Sequence, residues 1–174
     1  MDEPAREAFR AYVAARSAAL LRTAYLLTGN RADAEDLLQT ALAKTYLSWD
    51  RIRERDALDG YVRRIMVNTQ TSFWRRKRPE ALYDEVPDRP GRDQHADSDL
   101  HDALWTALAQ LPAKQRAAVV LRYYEDLSEA DTAVILGVSV GTVKSTTSRA
   151  LAKLREDASL RDDPRAALPH GVLV

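Results

Sequence analysis

Apolar positions return every three or four residues over long stretches of the chain, the spacing of amphipathic helices. From Pro4 to Leu27 they form one stripe of Phe9, Tyr12, Val13, Leu20, Ala24 and Leu27. Pro4 suits a first turn, and Thr28, Gly29 and Asn30 supply a stop. A second helix is expected from about Ala32 to Trp49, with Leu37, Leu38, Ala41, Leu42, Thr45 and Tyr46 turned inward. Asp33, Glu35 and Asp36 stand in its first turn, where the helix dipole favours negative charge. The period lapses through WDRIRERDALDG, which reads as a charged loop. Asp56 is a candidate cap for a third helix through Tyr61, Val62, Ile65, Met66, Thr69 and Phe73 to Lys77, ended by Pro79.

Residues 79–99 hold three of the seven prolines and almost no apolar period, so an extended linker is expected there. Fully stretched, residues 79–102 reach at most about 80 Å, against roughly 70 Å for two turns of B-DNA. Helical spacing resumes with Leu100, Leu104, Leu108 and Leu111, and Pro112 restarts the chain before Val119, Val120, Tyr123 and Tyr124. Ser128 followed by Asp131 resembles a capping box, opening a short helix that ends near Leu136. Gly137, Val138 and Ser139 make a tight turn, with glycine in its usual place after a helix and Ser139 capping the next. Two helices joined by a three-residue turn containing glycine form a helix-turn-helix. The expected fold is all-α: two small helical domains at 1–78 and 100–158, an acidic linker at 79–99 and a tail at 159–174.

The last helix carries KSTTSR at its centre, hydroxyl residues of indifferent helix propensity between two cations. Its packing stripe is Val140, Val143, Thr147, Ala150 or Leu151, and Leu154, while Lys144, Ser145, Ser148, Arg149 and Ala152 face away. In a helix-turn-helix that outer face enters the major groove, where small hydroxyl residues permit close approach and cations reach guanine edges or phosphates. Tertiary packing, rather than propensity, must then hold this helix.

Charge sharpens this picture. The net charge is zero, yet residues 1–78 carry 15 Lys/Arg against 10 Asp/Glu, residues 79–102 carry 2 against 8, and residues 103–155 carry 7 against 4. Two cationic blocks around an anionic connector suggest two modules for a polyanion. With 45% hydrophobic and 30% charged residues the chain reads as globular. It has no cysteine, which excludes disulfides and thiolate metal sites and fits a reducing cytoplasm. Its start lacks the pattern of a signal peptide, and no apolar run approaches the ~18 residues of a membrane span. The alternating Asp93, His95, Asp97, Asp99 and His101 lack further convergent ligands, so no metal or other cofactor is expected. Neither a nucleophile–base pair nor a phosphate loop is visible, so catalysis is not expected.

Three stretches resemble the bacterial sigma factors of the extracytoplasmic-function type, in particular the actinobacterial SigE-like branch. DAEDLLQTALAKTY (33–46) resembles the part of sigma domain 2 that docks on the clamp of the polymerase β′ subunit. YVRRIMVNTQTSFWRRKR (61–78) resembles the adjoining helix that engages the −10 promoter element. LPAKQRAAVVLRYYEDLSEADTAVILGVSVGTVKSTTSRALAKLRE (111–156) resembles the whole of sigma domain 4, which reads the −35 element and meets the β flap.

The resemblance implies roles residue by residue. Asp36 and Gln39 would dock on polymerase, although Thr40 stands where many sigma factors have an acidic residue. Tyr61, Arg64, Asn68, Trp74, Arg75, Arg76 and Arg78 would engage −10 DNA, the cations of this helix (Arg63 and Lys77 among them) neutralising phosphates. The loop Asp50–Arg55 would hold a flipped base. Lys144, Ser145, Ser148 and Arg149 would read −35 DNA. The implied protein is a non-catalytic, cytoplasmic specificity subunit that directs promoter-specific initiation. It would be a monomer when free, with core polymerase and promoter DNA as partners and an anti-sigma factor as a further candidate. Two rivals stand beside it: a stand-alone dimeric operator-binding regulator, and a nucleic-acid-processing enzyme using the linker's Asp and His residues.

Overall fold

A computed structural model describes residues 2–52, 58–77 and 105–156, with side chains left undescribed at 73–77. Helix α1 spans Glu3–Thr28, opened by Asp2, whose carboxylate accepts from the Ala5 amide at 2.9 Å. It ends where Gly29 turns left-handed (φ 88°) and donates its amide to the Tyr25 carbonyl at 2.7 Å. Asn30 at once caps α2 (Arg31–Ser48), its side-chain oxygen accepting from the Asp33 amide at 2.8 Å. A single 3-10 turn, Trp49–Arg51, occupies the start of the segment expected to be a loop. Helix α3 covers Leu58–Lys77; the candidate cap Asp56 lies outside the described residues.

These three helices bury Leu20, Ala24, Leu27, Leu37, Leu38, Ala41, Val62 and Met66 together. Phe9 meets Tyr46 and Trp49 edge-on, each at 5.1 Å between ring centroids. Tyr46, expected to point inward, packs on Phe9 but remains 41% exposed.

The second helical set begins with α4 (residues 105–109) and continues with α5 (Ala113–Val119), which passes directly into a π turn at Val120–Tyr124. Helices α6 (Glu129–Leu136) and α7 (Val140–Glu156) follow. Ser128 caps α6 through the Asp131 amide at 3.0 Å, and its hydroxyl also binds the Asp131 carboxylate. Gly137 adopts φ 66°, as the turn between α6 and α7 requires, and Ser139 caps α7 through the Thr142 amide at 3.1 Å. Leu100 and Leu104 lie outside the described residues, while Leu108 and Leu111 are buried as expected.

The two sets do not stand apart. One apolar core runs through both, joining Leu27 and Met66 to Trp105, Leu108, Leu121 and Ile135. This explains why the last turns of α1 are buried on nearly every side, Thr23, Leu26 and Thr28 included. Arg116 lies within this core, 1% exposed. Its guanidinium donates to the carbonyls of Leu108 (3.0 Å), Leu111 (3.0 Å) and Leu27 (3.2 Å) and lies 4.5 Å from the Trp105 ring centre. Burial lowers its pKa to about 10, which still leaves it charged at neutral pH. Among the described residues, no helix is long and apolar enough to cross a membrane.

Candidate functional site

Helix α7 supplies the clearest candidate face. Val143, Thr147, Ala150 and Leu154 are buried, and Lys144, Ser145, Ser148 and Arg149 are exposed together on the other side. The hydroxyl run therefore splits. Thr147 turns inward and donates to its own helix at Val143 (2.8 Å), while Ser145 stays outside and bonds back to Thr142 (3.1 Å). Lys144 pairs with Glu129 of α6 at 3.5 Å, both side chains exposed, so the contact is weak. Val140, expected on the packing stripe, is 39% exposed. It is the first residue of the helix, where the chain is still leaving the turn and the helical wheel does not yet apply. Val138 is 41% exposed beside it, so an apolar edge adjoins the polar face.

Helix α3 presents a second face. Arg64 and Asn68 are exposed and Tyr61 half-buried, at the spacing that lines residues up along one side of a helix. Trp74, Arg75 and Arg76 continue the helix, but their side chains are not described, and Arg78 lies outside the described residues. Arg63 departs from expectation. It is 9% exposed and bonded to the Glu125 carboxylate, with Asp59 one turn away at 3.9 Å. Residues 63 and 64 are about 100° apart on a helix, which is enough to turn one arginine into the core and the other out.

Behind that face lies a polar network. Asp59 accepts from the Tyr12 hydroxyl at 2.9 Å and from Arg16, whose Nε is at 3.1 Å and whose second nitrogen makes an ion pair. Burial, followed by the Asp59 charge, raises the Tyr12 phenol well above its ordinary pKa. The Asp59 hydrogen bond likewise raises Arg16. This network fixes the orientation of α3 against α1.

On α2, Asp36 and Gln39 are exposed one turn apart, as the sequence suggested. The same side continues to Leu47, which is 81% exposed and which sequence reasoning passed over. Trp49, Asp50 and Ile52, with Ala5 and Leu58, line a recess of about 150 Å³ at the start of the 50–55 segment; residues 53–55 lie outside the described residues. So do the linker, with Asp93, His95, Asp97, Asp99 and His101, and the tail with His170. Among the described residues, no group of His, Asp and Glu is arranged to hold a metal.

Two further features were missed. Glu125 joins α1 and α3 to the second helical set, and Gly29 receives the Trp105 ring so closely that an added Cβ would lie 1.9 Å from it. A left-handed Gly29 was legible from Thr-Gly-Asn, but its neighbour 76 positions on was not.

Comparison with known proteins places these faces in context. Residues 13–80 match the model of sigma-70 region 2, and residues 101–154 match that of sigma-70 region 4. The chain is 49% identical over 163 residues to the RNA polymerase sigma-E factor of Streptomyces coelicolor, covering 91% of this chain and 90% of that protein. It is 36% identical to the ECF RNA polymerase sigma factor SigE of Mycolicibacterium smegmatis, over 89% of this chain and 63% of that one. Among solved structures it superposes on the sigma factor RpoE, in complex with the anti-sigma factor NepR, from Bartonella quintana. There the TM-score is 0.70 at 29% identity, covering 90% of this chain and 99% of the other. CnrH, in complex with the cytosolic domain of CnrY, shares the fold with a TM-score of 0.65 at 23% identity, over 87% of each chain.

Proposed function

This chain belongs to the RNA polymerase sigma factors of the extracytoplasmic-function class, in the SigE-like branch, and on that premise we propose how it divides promoter recognition between two helical units. As a sigma factor it binds core polymerase and promoter DNA and directs promoter-specific initiation. Residues 1–78 form the unit for core docking and the −10 element, 79–99 the acidic connector, and 100–158 the unit for the −35 element. The tail 159–174 is assigned no role.

The observation that carries this reading is the outer face of α7. Lys144, Ser145, Ser148 and Arg149 stand together on a capped helix-turn-helix, with one weak surface ion pair among the described residues. Arg149 and Lys144 reach base edges or phosphates of the −35 element, and the serines permit close approach. On α3, Arg64 meets phosphate, Asn68 a base or sugar, and Tyr61 stacks on an unpaired base of the −10 strand. Trp74, Arg75, Arg76 and Arg78 extend this surface. A base extruded from the −10 element enters the recess beside Trp49 and Asp50.

Asp36 and Gln39 dock on the β′ clamp, and the second unit meets the β flap. The polymerase performs the phosphodiester chemistry, so this chain is a non-catalytic subunit, cytoplasmic like the enzyme it serves. The solved relative held by an anti-sigma factor supports a partner of that kind here.

Adding the purified chain to core polymerase and mapping transcription starts on genomic DNA tests the reading. New, reproducible start sites are expected, and Asp36→Arg should reduce retention on core in a pull-down. Start sites unaltered by the chain would remove the assignment; retention unaltered by the substitution would remove Asp36 from the docking face.

A further inference from the structure

Among the described residues, three of the five large apolar side chains left exposed lie in the helix-turn-helix: Val134, Val138 and Val140. Val138 has a local reason to be there. Its amide donates to the Ala133 carbonyl at 3.1 Å and closes α6. It also precedes the cap of α7, where an apolar residue commonly packs across the first turn. Val134 stands on α6, the helix that in this motif crosses the DNA backbone. Neither reason covers Val140. It opens α7, at the end of the recognition helix whose residues meet base edges.

The rest of that first turn is either engaged or bare. The Ser139 hydroxyl accepts from the Thr142 amide at 3.1 Å and lies 2.9 Å from the Thr142 hydroxyl, so both polar side chains serve the cap. Gly141 has no side chain, and nothing among the described residues demands that. Its backbone is not left-handed, and an added Cβ would meet only the Ser139 Oγ at 3.8 Å, an ordinary contact. Glycine weakens a helix relative to alanine, and valine is an indifferent helix former. The turn thus forgoes helix stability for a bare backbone beside an exposed apolar side chain. That combination suits close approach of an apolar group to a second surface.

Continuity points to which surface it is. Val140 and Gly141 precede Lys144 and Ser145 by one turn, and all four are exposed, so they adjoin the face assigned to the −35 element. In the major groove only thymine presents an apolar group, its C5-methyl. Against a polar base edge, Val140 would leave an amino or carbonyl group without a partner. Against the methyl, it removes apolar surface of both groups from water.

We propose that Val140 reads a thymine in the −35 element through its C5-methyl, and that Gly141 is bare so that this contact can close. The inference rests on the reading of α7 as the −35 helix. To the polar readout of Lys144 and Arg149 it adds a residue that selects for a methyl group.

Deoxyuridine differs from thymidine only by that methyl, so it isolates the contact. Holoenzyme reconstituted from core and the full chain is bound to a promoter fragment taken from one of its start sites. Each thymine of the −35 element, on either strand, is replaced in turn by uracil. One position should weaken binding about fourfold, the effect of one buried methyl. Val140→Ser should weaken binding to the unmodified promoter by a similar factor and abolish the response to uracil at that position alone. Gly141→Leu, a better helix former, should melt no lower than wild type yet lose promoter affinity. Uracil tolerated at every position would overturn the inference, as would losses from uracil and Val140→Ser that simply multiply. Full affinity in Gly141→Leu would withdraw the part given to the glycine.

Arg149→Ala separates this inference from the reading beneath it. If that variant binds weakly while uracil has no effect, α7 remains the −35 helix and only the role of Val140 is lost. If it binds normally, the wider face is withdrawn, and a uracil response abolished by Val140→Ser still upholds the thymine contact.

Discussion

Helices α3 and α7 each present cations outward, but their inward faces are built from different chemistry. Helix α7 buries Val143, Thr147, Ala150 and Leu154, and the one polar group among them is satisfied inside the helix by the Val143 carbonyl. Helix α3 buries Val62, Met66 and Val67 and, beside them, Arg63. The Arg63 partner Glu125 is 62 residues away, and the neighbouring Asp59 is bound by residues 43 and 47 positions away. An apolar inward face needs only something apolar opposite it and gains stability in proportion to the area covered. A charged inward face needs particular partners at particular angles, so it adds little net stability and instead specifies one arrangement of helices.

That contrast can be broken at three points. The largest effect is expected from Leu154→Ala, which hollows the apolar face of α7 at a residue only 4% exposed. It should cost about 2–5 kcal/mol in denaturant unfolding; a loss below about 1 kcal/mol would show that packing is not what holds a helix with such weak formers at its centre.

Asp59→Ala addresses α3. It leaves Tyr12 and Arg16 without their acceptor and should cost about 1–3 kcal/mol. A pH signature accompanies it. The Tyr12 phenol is harder to ionise in the folded state than in the unfolded chain, so its contribution is complete below pH about 10 and is lost as pH rises beyond, where the unfolded state releases the proton first. The Asp59→Ala variant should show less of that alkaline loss in thermal unfolding, and a phenol absorbance titration shifted to lower pH.

Arg149→Ala should have the smallest effect on the fold, within about 0.5 kcal/mol. It should nevertheless weaken binding of promoter DNA by the polymerase complex about tenfold and relax selectivity in the −35 element. Unchanged promoter choice in run-off transcription would mean that a different side of α7 meets the DNA.

The same contrast explains what could be read in advance. The helix ends were written locally, in Thr28-Gly29-Asn30, Ser128 and Gly137-Val138-Ser139, because a cap is a hydrogen bond to an amide three residues on; the Asp2 cap of α1 was passed over. The outward positions of Lys144, Ser145, Ser148, Arg149, Asp36 and Gln39 followed from helical period alone. Period failed where an end effect or a distant partner intervened. Val140 sits too early in its helix, Tyr46 leans on Phe9 yet stays 41% exposed, and Arg63 had a carboxylate waiting for it from the second unit.

The sequence by itself determined an all-helical chain in two sets, most of their caps, and the polar faces that each set turns outward, since all of these depend on residues within a turn or two of one another. Only the tertiary structure decided that the two sets share one core. It alone placed Trp105 on Gly29, wrapped Arg116 in carbonyls from both sets, and turned Glu125 inward through a π turn that no local pattern announces. Such contacts depend on distances between residues far apart in the chain, and no periodicity along the chain encodes them.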